Sequence, residues 1–527
     1  MANIAFYGSH NAAVAVEQNG KVLTVIEIER FLNTKNAGYG QYLISYTRPK
    51  LINYILDYIY RTYGIKTYDT CYYQNTDTIE GSKGKVHYEK LIPAKNYVDC
   101  LHHYSHAASG FYQTDYNEAL IISFDGGGND GYFNIYHAKD RNNIEIIFKE
   151  NIDLGFPYMI FGNYLNDIKM EPALNLGNLV YSGKLMGLCS YGKVNKEWVP
   201  HFKKFYLSKP DGENYIELLE VLSKDTGIKF DTNNRLEGQE AYDIAATSQE
   251  AFEQVFFQVT KDFIQKFPDI PIILVGGCAL NIILNNKVKN KFKREVFIPP
   301  NPNDCGLASG MILDHIKPKK AIDLTYSGTE VLDKDMLMYY VENKRGNEID
   351  TKELCKDLNE GSIVGVVRGQ SEHGPRALGH RSILCNPGIE NMKDILNEKV
   401  KKREWYRPFA PVCKLEDVEK YFNFKGESRF MSFCPTVKPK WRKKLSSITH
   451  VDNTARIQTV TKEQNEWLYN LLTEFEKVSG YGVLLNTSFN VNGKPILSSY
   501  SDAMKVFLDT DMDKLILENY YFRWKHV

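Results

Sequence analysis

The chain has 527 residues, 43% hydrophobic and 25% charged, and its 65 Lys+Arg and 65 Asp+Glu give a formal net charge of zero. That length is a prior for about two to four domains with room for large cores. The composition excludes a disordered, collagenous or low-complexity chain, and the balanced charge removes any global electrostatic reason to bind nucleic acid or anionic membrane. No apolar run approaches the ~18 residues of a transmembrane helix, so no membrane span is predicted. The opening MANIAFYGSHNAAVAV lacks the basic and cleanly apolar regions of a signal peptide. The 9 Cys are scattered with no CxxC pair. They fit reduced core thiols in a cytoplasmic protein and argue against a disulfide framework or a structural zinc.

Ile4–Tyr7 is predicted as a strand, followed after Gly8-Ser9-His10-Asn11 by a hairpin of Ala12–Glu17 and Val22–Ile28 about an Asn19-Gly20 turn. A helix over Arg48–Tyr63 follows from apolar spacing near 3.6. The strand-turn-hairpin order then recurs as Ala119–Phe124, the glycine turn from Asp125, Tyr132–His137 and Ile144–Lys149, which points to a duplicated half-domain; two unrelated hairpins would look similar. A helix is predicted over Glu237–Phe267, then a buried strand Ile272–Val275 running into Gly276-Gly277 and a further helix, a geometry that presents backbone N–H groups to phosphate. Periodicity fades from about Lys317 to Thr351, which reads as an inter-domain connection with a short helix of its own. Lys352–Asn359 is predicted as a helix and Ser362–Val367 as the first strand of a new domain.

Three groups of residues carry chemistry. His102 and His106 are four apart and share one face of a helix, as ligands of one ion would; two surface histidines would have the same spacing. Asp125 and Asp304 end strands or turns and could complete a His/His/Asp/Asp set suited to iron(II), manganese or zinc. Asp125 could instead form the turn, and Asp304 could cap the helix Leu307–Leu313. Gly126, Gly127 and Gly128, with the turns at Gly183 and Gly276-Gly277, allow close approach of a phosphate. A superfamily of ATPases spanning sugar kinases and actin clamps its nucleotide with several such turns in a duplicated fold. Arg368–Leu384 and Lys401–Pro411 interleave arginine with Gly, Pro and aromatics, the pattern of a preorganised pocket for a multiply charged anion; basic loops paired to local Glu are the plainer reading.

These motifs together resemble the O-carbamoyltransferase family of nodulation-factor and antibiotic-tailoring carbamoyltransferases. The resemblance spans nearly the whole chain. It is carried by GSHNAA from Gly8, HHYSHAAS from His102, FDGGG from Phe124, VGGCALN from Val275 and Asp304-Cys305-Gly306. Toward the C-terminus HGPRALGHRS from His373, REWYRPFAP from Arg403, ARIQTV from Ala455 and LNTSFN from Leu485 carry it. The N-terminal portion is also similar to the tRNA threonylcarbamoyl-transfer enzyme, and the C-terminal portion resembles a YrdC-like module. Asn11 stands where many relatives carry Asp, and Tyr406 where Phe is common.

The resemblance implies an α/β protein with a duplicated actin/sugar-kinase-like (RNase-H-type) domain over residues 1–340 and a YrdC-like α/β domain over residues 341–527. It implies that carbamoyl phosphate and ATP (with Mg2+) give carbamoyl-adenylate in the C-terminal domain. The carbamoyl group would then pass to an acceptor hydroxyl in the N-terminal one. His102, His106, Asp125 and Asp304 would hold a divalent metal, with iron(II) favoured and manganese or zinc as alternatives. His10 would act as general base. Gly126, Gly127, Gly128, Gly276, Gly277 and Asn281 would meet the adenylate. Arg376, Arg381, Lys402, Arg403 and Arg407 would bind anions, Lys402 and Arg403 as catalytic groups, with Thr487, Ser488 and Asn490 as phosphate partners. A homodimer is expected, and nucleic acid enters only as a candidate acceptor. The acceptor itself stays open among sugar, natural product, and hydroxymethylated nucleotide or DNA, with Asn151–Val180 the candidate pocket. A threonylcarbamoyl-type transferase and a kinase-like ATPase are the alternatives.

Overall fold

The computed structural model describes residues 2–37, 47–74, 88–168, 179–208 and 214–523. The chain begins with β1 (Ala2–Tyr7) and the hairpin β2 (Ala13–Gln18) and β3 (Lys21–Glu27). β4 (Tyr68–Gln74) and β5 (Ala94–Asp99) precede helix α1 (His102–Tyr112). A meander β6 (Ala119–Gly128), β7 (Gly131–Asp140) and β8 (Asn143–Glu150) leads to the long α2 (Gly238–Lys266). β9 (Ile272–Val275), α3 (Ile282–Phe292), β10 (Val296–Phe297) and α4 (Leu307–Ile316) follow. No helix among the described residues is long and apolar enough to cross a membrane.

The chain divides into two compact units. The first holds Met1–Gly8, Gln18–Gly20 and Ile44–Ile322; the second holds Ser9–Glu17, Lys21–Leu43 and Asp323–Val527. Within the first, β1 pairs parallel with β4 and β4 with β5. β6 likewise pairs parallel with β9 and β9 with β10. In chain order the first strand of each triplet is followed by a two-strand hairpin. The duplication expected from the sequence is therefore present as two parallel triplets of the same order, the arrangement of a duplicated α/β half-domain.

The strands are apolar because both faces are covered: β1 and β9 are buried at every position. The helices α1 and α4 pack against each other where a Cβ on Gly310 would lie 2.0 Å from the Ser105 carbonyl oxygen, so only glycine permits that approach. Gly276 turns the chain out of β9 at φ +92, with room for no side chain, since a Cβ there would sit 2.2 Å from the Phe124 carbonyl oxygen.

The second unit is built on an eight-stranded mixed sheet. Its strands are β11 (Asn347–Glu348), β12 (Val364–Val367), β13 (Arg381–Cys385), β14 (Ala410–Lys414), β15 (Gln458–Val460), β16 (Val483–Ser488), β17 (Lys514–Leu517) and β18 (Tyr520–Arg523). Their order is β11-β18-β17-β12-β13-β16-β14-β15, with β13 and β16 antiparallel so that Ser382 faces Ser488. The helices α5 (Thr351–Asn359) and α6 (Glu466–Ser479) start on side-chain caps from Asp350 and Asn465, as their sequences require. Strand β3 is tied into this unit: Val25 N–H donates to the Ser327 carbonyl at 2.6 Å, and the Gln370 side-chain amide donates to the Leu23 carbonyl at 3.1 Å.

Two glycines with opposite surroundings give a paired prediction. Gly276→Ala should destabilise the protein by about 2–3 kcal/mol through strain and overlap. Gly183→Ala, on the helix Val180–Leu188 with nothing within 4 Å of the added Cβ, should stabilise by up to about 1 kcal/mol. Thermal unfolding midpoints that fall for the first and rise for the other confirm the packing; equal shifts would contradict it.

Candidate functional site

His102 and His106 lie on α1, whose residues are almost all buried. No side chain of α1 itself caps its start. The β6–β7 turn does so instead: the Asn129 side chain accepts from His102 N–H at 2.9 Å, and the Asp130 carboxylate accepts from His103 N–H at 2.8 Å. A hairpin turn thus sets the register and tilt of the histidine helix. Gly128 leaves the space that His102 fills, because a Cβ there would come within 2.5 Å of its side chain.

The two rings converge. His102 Nε2 and His106 Nε2 are 3.2 Å apart. Asp304 Oδ1 lies 3.6 Å from the first and 3.5 Å from the other, and Asp125 Oδ2 lies 3.4 Å from His106 Nε2. All four ligand atoms fall within 4.8 Å of one another. His102 and His106 are 1% and 0% exposed, which removes the reading of two surface histidines. Burial holds the His102 imidazole below its ordinary range, opposed by Asp304. Burial also disfavours the charge on His106, but the hydrogen-bonded Asp125 and Asp304 carboxylates outweigh it and lift this ring to about 9.

The carboxylates are oriented from behind. Tyr7 O–H donates to Asp304 Oδ2 at 2.5 Å, leaving Oδ1 toward the rings. Gly126 N–H and Gly277 N–H donate to the two Asp125 oxygens at 2.7 and 2.5 Å. Helix α4 starts from Gly306, which carries no side-chain cap, while Asp304 Oδ1 faces both imidazoles. Neither His Nδ1 has a hydrogen-bond partner among the described residues. Ring protons on Nδ1 would leave both Nε2 lone pairs for a cation held between the rings and the two carboxylates. Two imidazoles and two carboxylates around one point fit a divalent cation, and this donor set does not choose between iron(II), manganese and zinc. His103, the third histidine of the run, is committed elsewhere, between Ser123 Oγ at 2.8 Å and the Gly131 carbonyl at 2.9 Å.

The glycine turns serve this cluster through Gly126, Gly128 and Gly277, while Gly127 adopts φ +123 in the turn itself. Asn281 is buried and doubly bonded to the Gln249 amide while capping α3, so its side chain is already satisfied by protein. The aromatic residues of Asn151–Val180 are a small core rather than a sugar platform: Tyr158, Phe161 and Tyr164 are buried, Phe161 stacks on Phe202, and Phe156 lies against Tyr215. Residues 169–178 of that segment lie outside the described residues.

The second unit gathers cations. Lys35, which follows the hairpin, lies near Arg376, Arg407 and Lys401, and Arg403 and Arg456 join the group through Arg407. Burial and then Arg407 push Arg376 down to about 10. Burial first, then neighbouring guanidinium groups, depress Lys35, Lys401, Arg403 and Arg456. Glu404 pairs with Arg407 at 3.2 Å, and Glu29 is the other acid near Lys35. The guanidinium groups of Arg376 and Arg456 make no hydrogen bond to protein among the described residues, and Arg456 Nε is buried. Arginine does not shed its proton in proteins, so the guanidinium groups stay charged although burial first and their cationic neighbours second disfavour that charge.

The sequence run Lys401-Lys402-Arg403 is resolved by one turn. Asn397–Lys401 winds as a π-helix, closed by Lys402 N–H on the Asn397 carbonyl at 2.7 Å, and Lys402 takes a left-handed conformation at φ 46. Lys402 consequently faces solvent, whereas Lys401 is 4% exposed. Lys401 Nζ donates to the Ser488 and Asn490 carbonyls at 2.8 and 2.9 Å and to Asn490 Oδ1 at 2.5 Å. Ser488 and Asn490 therefore border the cluster through Lys401, and Thr487 precedes them, buried on β16. Arg381 is fully buried, with its guanidinium donating to the Arg368, Gly369 and His380 carbonyls, so it shapes the loop and does not join the cluster. His10 sits between β1 and β2, half-buried, with its ring 3.4 Å from Asn11 Oδ1; Asn11 takes the left-handed conformation. Sequence reasoning missed Tyr7, Asn129, Asp130, Lys35, Lys401 and Arg456. Of these only Arg456 stands inside a motif that carries the family resemblance.

Fold and clusters define an α/β protein with a candidate metal centre in one unit and a candidate anion pocket in the other. The chain belongs to the carbamoyltransferase family and is an enzyme of that class: residues 62–313 match the carbamoyltransferase N-terminus and residues 355–524 the carbamoyltransferase C-terminus. It is 32% identical to nodulation protein NolNO of Sinorhizobium fredii over 80% of this chain and 63% of that protein. It is 30% identical to an uncharacterised protein of Methanocaldococcus jannaschii over 97% of both chains. It is also 32% identical to 3'-hydroxymethylcephem-O-carbamoyltransferase of Streptomyces clavuligerus, over 55% of this chain and 56% of that one.

Titration of the protein with Mn2+, followed by electron paramagnetic resonance, tests the metal cluster. Wild type should bind one ion, His106→Ala and Asp304→Asn should each weaken binding by roughly a hundredfold, and Tyr7→Phe by about tenfold because it only orients Asp304.

Proposed function

We propose that the protein is an ATP-dependent O-carbamoyltransferase that forms carbamoyl-adenylate in residues 341–527 and delivers the carbamoyl group to an acceptor hydroxyl. The observation that carries this reading is the cation cluster around Arg376, Lys401, Arg403 and Arg456, whose charges repel one another with too few acids nearby. At an effective dielectric of 20, two like charges about 5 Å apart cost roughly 3 kcal/mol. Carbamoyl phosphate and the triphosphate of ATP are the multiply charged anions that a carbamoyltransferase with this pocket would bring together.

Atom balance sets the order of events. Carbamoyl phosphate gives up inorganic phosphate to water and leaves carbamate. A carbamate oxygen attacks the α-phosphorus of ATP, and pyrophosphate leaves. The acceptor oxygen then attacks the carbamoyl carbon, its proton goes to a base, and AMP departs. Adenylation is needed because carbamate alone is a poor electrophile, and enclosure limits hydrolysis of the mixed anhydride.

In this reading Arg376, Arg403, Arg407 and Arg456 clamp phosphate oxygens, and Lys401 neutralises charge beside Ser488 and Asn490. Lys35 adds a further cation, and His10 accepts the acceptor's proton. His102, His106, Asp125 and Asp304 hold a divalent metal, which would supply charge stabilisation to bound oxygen atoms. The name of the Streptomyces relative specifies a hydroxymethyl acceptor; a small hydroxyl-bearing molecule is the corresponding acceptor class here.

Pyrophosphate release from ATP, measured without acceptor, should depend on added carbamoyl phosphate. Lys401→Ala should reduce that release by about a hundredfold, as loss of a charge-assisted phosphate contact in a dry site would. His10→Ala should preserve release and stop carbamoyl transfer. Loss of the same half-reaction in both variants would contradict this division of roles.

A further inference from the structure

We infer that Glu372 is a positioning residue that holds Arg376 in the anion pocket, acting together with the buried pair Glu27 and Arg30. The inference rests on the anion-pocket reading above and deepens it. Arg376 rises from a loop that has no regular structure between Ser371 and β13. A loop that carries an uncommitted guanidinium into a repulsive cluster needs its backbone fixed by something else. Glu372, 0% exposed, supplies it. One carboxylate oxygen, Oε1, accepts the N–H groups of Leu378 at 2.7 Å, His380 at 2.8 Å and Arg381 at 3.1 Å. The side chain thereby closes the loop across Arg376.

The near end of the loop is held from the hairpin. Arg30 donates to the Glu372 carbonyl at 2.6 Å and to the Gly374 carbonyl at 2.7 Å. Glu27 Oε1 accepts Gly374 N–H at 2.8 Å and meets Arg30 at 3.1 Å. At the far end the Leu378 carbonyl accepts from Tyr326 O–H at 3.0 Å and from the Gln458 amide at 3.1 Å. The Asn486 amide donates to the Ala377 carbonyl at 3.2 Å. Backbone on both sides of Pro375-Arg376 is therefore committed, while the Arg376 guanidinium itself is not.

Glu372 faces His380 and Arg381, and Arg376 is not among its main charge partners. Its effect on the pocket is accordingly one of geometry: a preplaced fork binds an anion without the cost of ordering the loop at the moment of binding. The hairpin end of the same network, Arg30, precedes Lys35 by five residues in the same unit.

A double-mutant cycle on the full chain tests this, read as the affinity for pyrophosphate by calorimetry and as KM for carbamoyl phosphate against kcat for pyrophosphate release. Glu372→Gln should raise the pyrophosphate Kd and the KM about tenfold and leave kcat within about threefold. Arg376→Gln should raise both at least as much, and the double variant should be no worse than Arg376→Gln alone, since residues acting through one contact are not additive. Effects that multiply in the double variant, or a fall in kcat with KM unchanged, overturn the positioning role and leave the pocket standing. Unchanged pyrophosphate binding in Arg376→Gln overturns the pocket reading itself. If Glu372→Gln does not fold, Arg30→Lys takes its place in the same cycle, with the same expected coupling to Arg376.

Discussion

Repulsion between like charges that cannot be discharged governs the second unit. Guanidinium groups keep their protons under all ordinary conditions, so the cluster of Arg376, Arg403, Arg407 and Arg456 carries an electrostatic cost. The surrounding structure bears that cost through rigid elements. A buried mixed sheet lies beneath, the loop carrying Arg376 is bonded at both ends, and Arg403 lies over the Phe409 ring at 3.9 Å.

The first unit solves the opposite problem. There two carboxylates and two imidazoles are crowded in a buried place, and the same physics calls for a cation. Outer contacts define it: Tyr7 turns one carboxylate, two backbone amides hold the other, and the Asn129-Asp130 turn anchors the helix that carries both rings. Each functional side chain is set by a residue that has no chemistry of its own. Such dependence is usual where a site has to be preformed.

How much of this was legible in the sequence follows from the range of the interactions. The Asn19-Gly20 turn, the glycine-ended strands and the long helix over Gly238–Lys266 are local, and local spacing was enough to place them. His102, His106, Asp125 and Asp304 were readable as a set because metal ligands are a restricted chemical class, although hundreds of residues of chain separate the first from the last. Lys401 was not, because two adjacent lysines are equivalent on paper. A single π-turn decides which one points inward, and nothing in the local composition announces that turn. Arg381 misled for the converse reason: an arginine inside an arginine-rich motif resembles an anion binder until its three carbonyl partners are seen. Arg30 and Lys35 were invisible because the backbone carbonyls that Arg30 holds, and the arginines beside Lys35, lie more than three hundred positions away.

The interleaving of the two units bears on how such enzymes can be taken apart. The family boundary near residue 355 marks where a recognisable C-terminal module starts, yet the compact body containing it also includes Ser9–Glu17 and Lys21–Leu43. A gene fragment cut at the family boundary would encode the sheet without its edge strand β11 and without the segment that supplies Lys35 and Arg30. Modularity in sequence and modularity in space do not coincide here. Recombination between relatives would have to carry the first forty residues along with the C-terminal half, or supply both from the same parent, for the cation cluster to arrive intact.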